Sequence, residues 1–265
     1  MPLADPNLRT ILEPDGAYAL PEAFKIAKGT VDALIERYAA VRRQMTDADR
    51  AANDRSGRSA ELVDLAAAGS LPDSNHAVVA PLVAAENDRD IAASAATILA
   101  GARTLAEARL RQLVLHNADE FIVDHLRPAH AETINEARRL APKLAGIRLD
   151  DPEEVWKAPP AIQAAYQDAK ALADRYERIR DARHALGHLA RRSNEFAEFR
   201  EEHFGRWPKH PVARLLAVAT SAIAWMPTFE EAREAQRVAK SRAESEVKAM
   251  RARGIPAESL TALGG

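Results

Sequence analysis

The chain has 265 residues, a formal net charge of −2 and no cysteine. The lack of cysteine excludes a disulfide framework, thiolate catalysis, iron–sulfur clusters and zinc sites built with sulfur. Acidic and basic residues are abundant but balanced, so the chain as a whole has no positive electrostatic potential that would attract nucleic acid or an anionic membrane. Hydrophobic residues make up 47% of the sequence and aromatic residues only 5%, which favours helices packed through many small contacts.

The predicted fold class is all-α. We expect an elongated bundle of about six to eight helices, with two long helices of about 40 residues as its spine. The sequence predicts three segments: an extended N-terminal arm over 1–20, the elongated helical bundle over 21–227, and a charged C-terminal helix with a loose tail over 228–265. The arm is predicted because its prolines and glycine interrupt any sustained helical spacing of apolar residues.

The first helix is predicted over 21–45, with an extension to Asn53. Pro21 suits a first helical position, because its missing amide would have no partner there. A break is expected at 56–58, where serine and glycine adjoin, and Ser59 then caps a short helix.

A second long helix is predicted over 87–126. Pro128 is expected to end it, since proline lacks an amide donor and its ring clashes with the preceding turn. A further helix is predicted from 129 to about 144. The apolar stripe of the long helix, which we expect to face the core, consists of Ile91, Ala95, Ile98, Ala102, Ala106, Leu110, Leu113, Val114 and Phe121.

The longest helical pattern without a proline runs over 160–204. Its stripe is rich in alanine and shifts register after Ile179, which disfavours a long two-stranded zipper. We therefore expect this helix to pack against the 87–126 helix as the second half of the spine.

The most apolar run covers 212–225. A membrane-spanning helix needs about 20 apolar residues, and this run is shorter. It also contains Arg214 and is followed by Pro227, which would end a helix. We expect it to be buried by neighbouring helices rather than by lipid. The first residues lack both a basic start and an apolar run, so no signal peptide is predicted and the cytoplasm is the expected location, with a virion as an alternative.

The last helix has clear boundary signals. Thr228 and Glu231 match a capping box, in which each side chain accepts a hydrogen bond from the other residue's backbone amide. Its apolar face is thin, so the helix is either exposed to solvent or a surface for a partner. The partner-binding candidates on this face are Phe229, Val247 and Met250.

A second candidate site lies on the 160–204 helix. Glu177, Asp181, His184 and His188 follow steps of four, three and four, so their side chains share one face. Carboxylates and imidazoles both ligate divalent transition metals, which makes the group a metal candidate. Ordinary surface charge explains the same pattern, since this face is opposite the apolar stripe.

The same helix carries an arginine-rich stretch and an acidic end. The arginines alternate with acids and lack interleaved aromatic residues, which disfavours nucleic-acid binding. Acids at a helix C-terminus oppose its dipole, so a basic neighbour or a protein partner is expected beside them. The arginines are Arg178, Arg180, Arg183, Arg191 and Arg192, and the acids, which we take as partner-binding candidates, are Glu195, Glu198, Glu201 and Glu202.

Catalytic motifs are missing from the sequence. It contains no glycine-rich phosphate loop, no GxSxG, no HExxH and no Glu-x-x-His pair of the di-iron bundles, so we predict no catalytic residue, no enzyme activity and no cofactor.

The leading hypothesis is a non-enzymatic structural, assembly or scaffolding protein that binds a protein partner or its own copy, with phage or virion components as one setting that no motif supports. The alternatives are a helical regulatory module with an arginine-rich nucleic-acid face, and a metal-binding bundle.

Overall fold

The computed structural model describes residues 3–53, 55–68, 70, 74–191, 208–220 and 226–252. These residues form α-helices and no strand, so the all-α prediction is confirmed. The helices are α1 Pro6–Leu12, α2 Glu22–Asn53, α3 Arg55–Ala67, α4 Asn75–His116, α5 Ala118–Phe121, α6 Arg127–Leu140, α7 Pro152–Lys157, α8 Pro160–Leu189, α9 Pro211–Thr220 and α10 Phe229–Ala252.

The chain forms two compact units. Unit 1 consists of Met1–Pro6 and Glu22–Leu113, and unit 2 of Asn7–Pro21 and Val114–Gly265.

The two longest helices, α2 with 32 residues and α4 with 42, pack together in unit 1. Val41 of α2 is buried with Ala92 and Ala96 of α4. The small alanines let the two helix backbones approach closely. The predicted pair of long helices is thus present, and α2 and α4 form it. The partly buried residues around this contact are Tyr38, Met45, Ala95 and Leu99.

Two predicted boundaries in unit 1 are wrong. The expected break at 56–58 lies inside α3, which begins at Arg55. One glycine inside a helix costs only about 1 kcal/mol, which neighbouring residues can offset. The second long helix begins at Asn75 rather than near residue 87 and contains Pro81. Pro81 is the seventh residue of α4, so it removes the amide that would donate to the carbonyl of Ala77, and the helix continues through this single loss.

Pro128 does not end the helical path, contrary to the prediction. Residues Ile122–Leu126 form a π-helical turn, in which the amide of Arg127 donates to the carbonyl of Ile122, and α6 continues directly from it. Pro128 therefore lies in the first turn of α6, where an amide donor is dispensable. The wider π turn accommodates the proline that would break a continuous α-helix.

Unit 2 is built around α8, which packs against α6 and α9. Its predicted stripe is buried as expected, including Ala169, Tyr176, Ile179 and Leu186. The rest of this core comes from α6, α9 and the turn after α6. The buried core residues outside α8 are Ile134, Ala137, Leu144, Val212, Leu215, Leu216, Val218 and Ala219.

The end predicted for this long helix is wrong. α8 ends at Leu189, and Ala190 and Arg191 form a turn in which Arg191 has φ 55°. A left-handed residue closes a helix by turning the chain away from the helix axis. Arginine gives no such signal in a sequence, and the helical spacing of apolar residues runs past it. Residues 192–207 lie outside the described part of the chain.

The N-terminal region also differs from the predicted extended arm. Pro6–Leu12 forms α1, and Leu8, Ile11 and Leu12 are buried. Tyr18 is buried as well, and its hydroxyl donates to the carbonyl of Ile11 at 2.9 Å. The apolar residues of this stretch are too few to show a helical spacing in the sequence, but the burial of Leu8, Ile11 and Leu12 stabilises a short helix.

Candidate functional site

The four metal candidates lie along α8, but the structure does not gather them into a ligand set. Glu177 accepts a hydrogen bond from Arg214 at 3.0 Å and lies 3.6 Å from Arg180, so its carboxylate is paired with arginines of unit 2. Asp181 and His188 are exposed and His184 is half-buried. Within the described ranges, no group of three or more histidine, aspartate and glutamate side chains is arranged to hold a metal ion.

The arginines of α8 make contacts within the chain. Arg178 lies 3.4 Å from Asp15, and Arg180 lies over the ring of Tyr176. Arg183 is fully buried, so it cannot contact a nucleic-acid backbone. Arg191 is exposed, and Arg192 lies outside the described residues.

Arg183 is the most unusual buried side chain in unit 2. Its Nε donates to the carbonyl of Pro227 at 3.0 Å, and its guanidinium carbon lies 4.2 Å from the ring centre of Phe229. Burial lowers the pKa of Arg183 to about 9, while the negative charge of Asp119 opposes this shift. The sequence contained a signal for this burial, because Arg183 lies four residues after Ile179 and three before Leu186, in step with the buried stripe.

Arg183 belongs to a polar junction that fixes the start of α10. The predicted capping box is confirmed: Thr228 N donates to Glu231 at 2.9 Å, and Glu231 N donates to Thr228 Oγ1 at 3.1 Å. Asp119 accepts from the amide of Phe229 at 2.7 Å. Arg127 bonds both Glu231 and the carbonyl of Met226. The junction holds the start of α10 in place within unit 2.

The predicted partner-binding residues differ in their burial, and some lie outside the described part of the chain. Phe229 is only 5% exposed, because it packs under Arg183, so its ring is part of the packing of unit 2. Val247 is half-buried, and the side chain of Met250 lies outside the described residues. The four glutamates at 195, 198, 201 and 202 also lie outside the described part of the chain.

Among the described residues, α4 of unit 1 carries a row of exposed apolar side chains. Ile91, Ile98 and Leu105 are 59%, 72% and 54% exposed, and each is seven residues from the next. The sequence placed Ile91 and Ile98 on the core face, which is wrong: Ala92 and Ala96 make the contact with α2 instead. Alanine is small enough to form one apolar face while larger residues form another. We call the set Ile91, Ser94, Ile98, Gly101, Leu105 and Ala108, all of which are exposed, the α4 stripe.

None of the helices in the described ranges is both long enough and apolar enough to cross a membrane. Comparisons with protein families, with curated proteins and with solved structures found no match to this chain.

Proposed function

We propose that this chain is a non-enzymatic assembly protein that acts through helix–helix contacts, with a second copy of itself as the first partner. The observation that supports this proposal is the exposed α4 stripe. Apolar residues scattered singly over a surface are normal, but Ile91, Ile98 and Leu105 recur at seven-residue spacing on one helix. That spacing is typical of helices that pair along their length.

The energy available from such a contact is comparable to the cost of association. Ile91, Ile98 and Leu105 are 59%, 72% and 54% exposed, so burying the exposed part of these side chains in both copies contributes about 6–11 kcal/mol in total. Association costs about 4 kcal/mol or more in lost translational and rotational freedom. The difference of up to about 7 kcal/mol corresponds to a dimer with a Kd of about 10 µM.

The test is the molar mass in solution, measured by light scattering after size separation. The monomer mass is 28.9 kDa. At protein concentrations from about 1 µM to about 100 µM, we expect the measured mass to rise from that of one chain towards that of two. A mass equal to one chain at every concentration would contradict the proposal.

A further inference from the structure

We infer that α4 pairs with the α4 of a second copy in antiparallel orientation, about a two-fold axis midway between Ile98 and Gly101. This inference rests on the proposed self-assembly and specifies its surface and geometry. It follows from the alternation of large and small residues along the α4 stripe and from the charges at the two ends of the stripe.

The α4 stripe is separate from the surface of α4 that is already in use. Ala92 and Ala96 face α2, whereas Ile91, Ile98 and Leu105 lie on nearly the opposite side of the helix. A second helix can therefore bind to the stripe without disturbing the contact between α2 and α4.

Large and small residues alternate along the stripe in the order Ile91, Ser94, Ile98, Gly101, Leu105, Ala108. In the antiparallel register, each large residue faces a small residue of the second copy. Ile98 lies opposite Gly101, and the two outer layers pair Ile91 with Ala108 and Leu105 with Ser94. Facing positions that alternate in size interdigitate well, and this order becomes self-complementary when one helix is reversed.

Gly101 is the central small residue. An added Cβ there would meet nothing within 4 Å apart from the adjoining backbone of its own helix, so the packing of the monomer does not require a glycine. Glycine inside a helix costs about 1 kcal/mol relative to alanine. Close approach of Ile98 from the second copy gives this exposed glycine a role.

Charges flank the stripe in a polarised arrangement. Asp88 and Asp90 lie at its N-terminal end, and Arg109 and Arg111 lie at its C-terminal end. In this antiparallel register Asp88 is level with Arg111 and Asp90 with Arg109 of the second copy, so Asp88 and Arg109 lie within two residues of each other along the axis, about 3 Å. Parallel pairing would set acids against acids and bases against bases, which is unfavourable. Within its own chain Asp90 accepts a hydrogen bond from Arg89 at 3.2 Å, and Arg111 lies 3.9 Å from Asp5, so Asp88 and Arg109 provide the cleaner test.

The first experiment compares Gly101→Leu with a matched control, Gly29→Leu. Both glycines lie inside exposed stretches of long helices, and a Cβ at either meets nothing within 4 Å. We expect Gly101→Leu to raise the dimer Kd about tenfold or more, because leucine collides with Ile98 of the second copy, and Gly29→Leu to leave it unchanged. Circular dichroism should show unchanged helix content in both variants.

The second experiment reverses the flanking charges. Asp88→Arg and Arg109→Asp should each raise the dimer Kd by about threefold to tenfold at low salt, and an equimolar mixture of the two variants should restore dimerisation. If wild type dimerises but neither Gly101→Leu nor the charge variants weaken it, this inference is overturned while the proposed assembly function stands. If wild type remains a monomer at every concentration, both are overturned.

Discussion

The guanidinium carbon of Arg183 lies 4.2 Å from the ring centre of Phe229, and its Nε donates to the carbonyl of Pro227 at 3.0 Å. One side chain of α8 thus holds the residues on both sides of Thr228, the cap of α10. Cation–π attraction of a desolvated arginine contributes about 2 kcal/mol or more, and a hydrogen bond from a charged donor about 1.5–3 kcal/mol. The start of α10 is therefore fixed from within unit 2.

Arg183→Lys should lower the free energy of unfolding by about 1–3 kcal/mol. Lysine keeps the charge at a buried position but loses the planar group above Phe229 and the Nε donor. Urea denaturation followed by circular dichroism measures the change. Arg139→Lys, at an exposed position of α6, is the control and should change stability by less than about 0.5 kcal/mol. Equal stability of the two variants would show that the Arg183 contacts contribute little.

Thr228→Ala should destabilise the first turn of α10 by about 1 kcal/mol, because the amide of Glu231 loses its acceptor. Thr228→Ser keeps the oxygen and should recover most of the stability. Hydrogen exchange at the Glu231 amide reports this bond directly. Unchanged protection of that amide in Thr228→Ala would mean that Asp119 and Arg127 hold the turn without the cap.

Tyr18 provides a pH-dependent prediction. Burial, with smaller contributions from Asp15 and Asp181, raises the pKa of Tyr18 above its ordinary value of 10.0. Because the folded pKa exceeds the unfolded one, the stabilisation is complete below pH 10.0 and is lost as the pH rises towards the folded pKa. Tyr18→Phe should be about 1–2 kcal/mol less stable at neutral pH, because it lacks the hydroxyl that donates to Ile11.

Above pH 10.0, wild type should lose stability relative to Tyr18→Phe by up to about 1.4 kcal/mol per pH unit, since only wild type carries this group. Urea denaturation of both proteins at about pH 8 and about pH 10.5 measures the difference. A difference that is constant between the two pH values would show that Tyr18 titrates alike in the folded and unfolded chains.

Replacing two of the glycines by alanine should change the free energy of unfolding in opposite directions. Gly29→Ala should raise the free energy of unfolding by up to about 1 kcal/mol, because the helix interior of α2 has room for the added methyl group. Gly16→Ala should lower it by about 1–2 kcal/mol, because Gly16 has φ 82°, where an L-residue is strained. Thermal melting of both variants tests the pair, and a loss of stability in Gly29→Ala would contradict the helical environment described for it.

Helical periodicity and capping signals predicted much of this fold correctly. The buried stripe of α8 and the capping box at Thr228 and Glu231 both depend on local spacing, which the sequence shows directly. The end of α8 was not predictable in this way, because Arg191 adopts a left-handed conformation that its residue type does not favour. The passage of the helix through Pro128 depends on a π turn, which also has no local signature.

The candidate surface was harder to predict than the helix that carries it. Periodicity identified Ile91 and Ile98 as part of an apolar face, but α4 has two such faces. Which one packs against α2 depends on the fit between Val41 and the small residues Ala92 and Ala96. That choice is a property of tertiary packing, and it leaves the large residues exposed.

The most direct test of antiparallel α4 pairing is the distance between two identical spin labels in the dimer. The chain has no cysteine, so Gln112→Cys provides a single labelling site, at an exposed position near the C-terminal end of α4. Antiparallel pairing about the axis between Ile98 and Gly101 separates the two labels by about 37 Å along the helix axis. A parallel pair would hold them at about 10 Å, the spacing of two packed helices. A distance distribution centred near the longer value is the predicted result, and one centred near the shorter value would contradict antiparallel pairing.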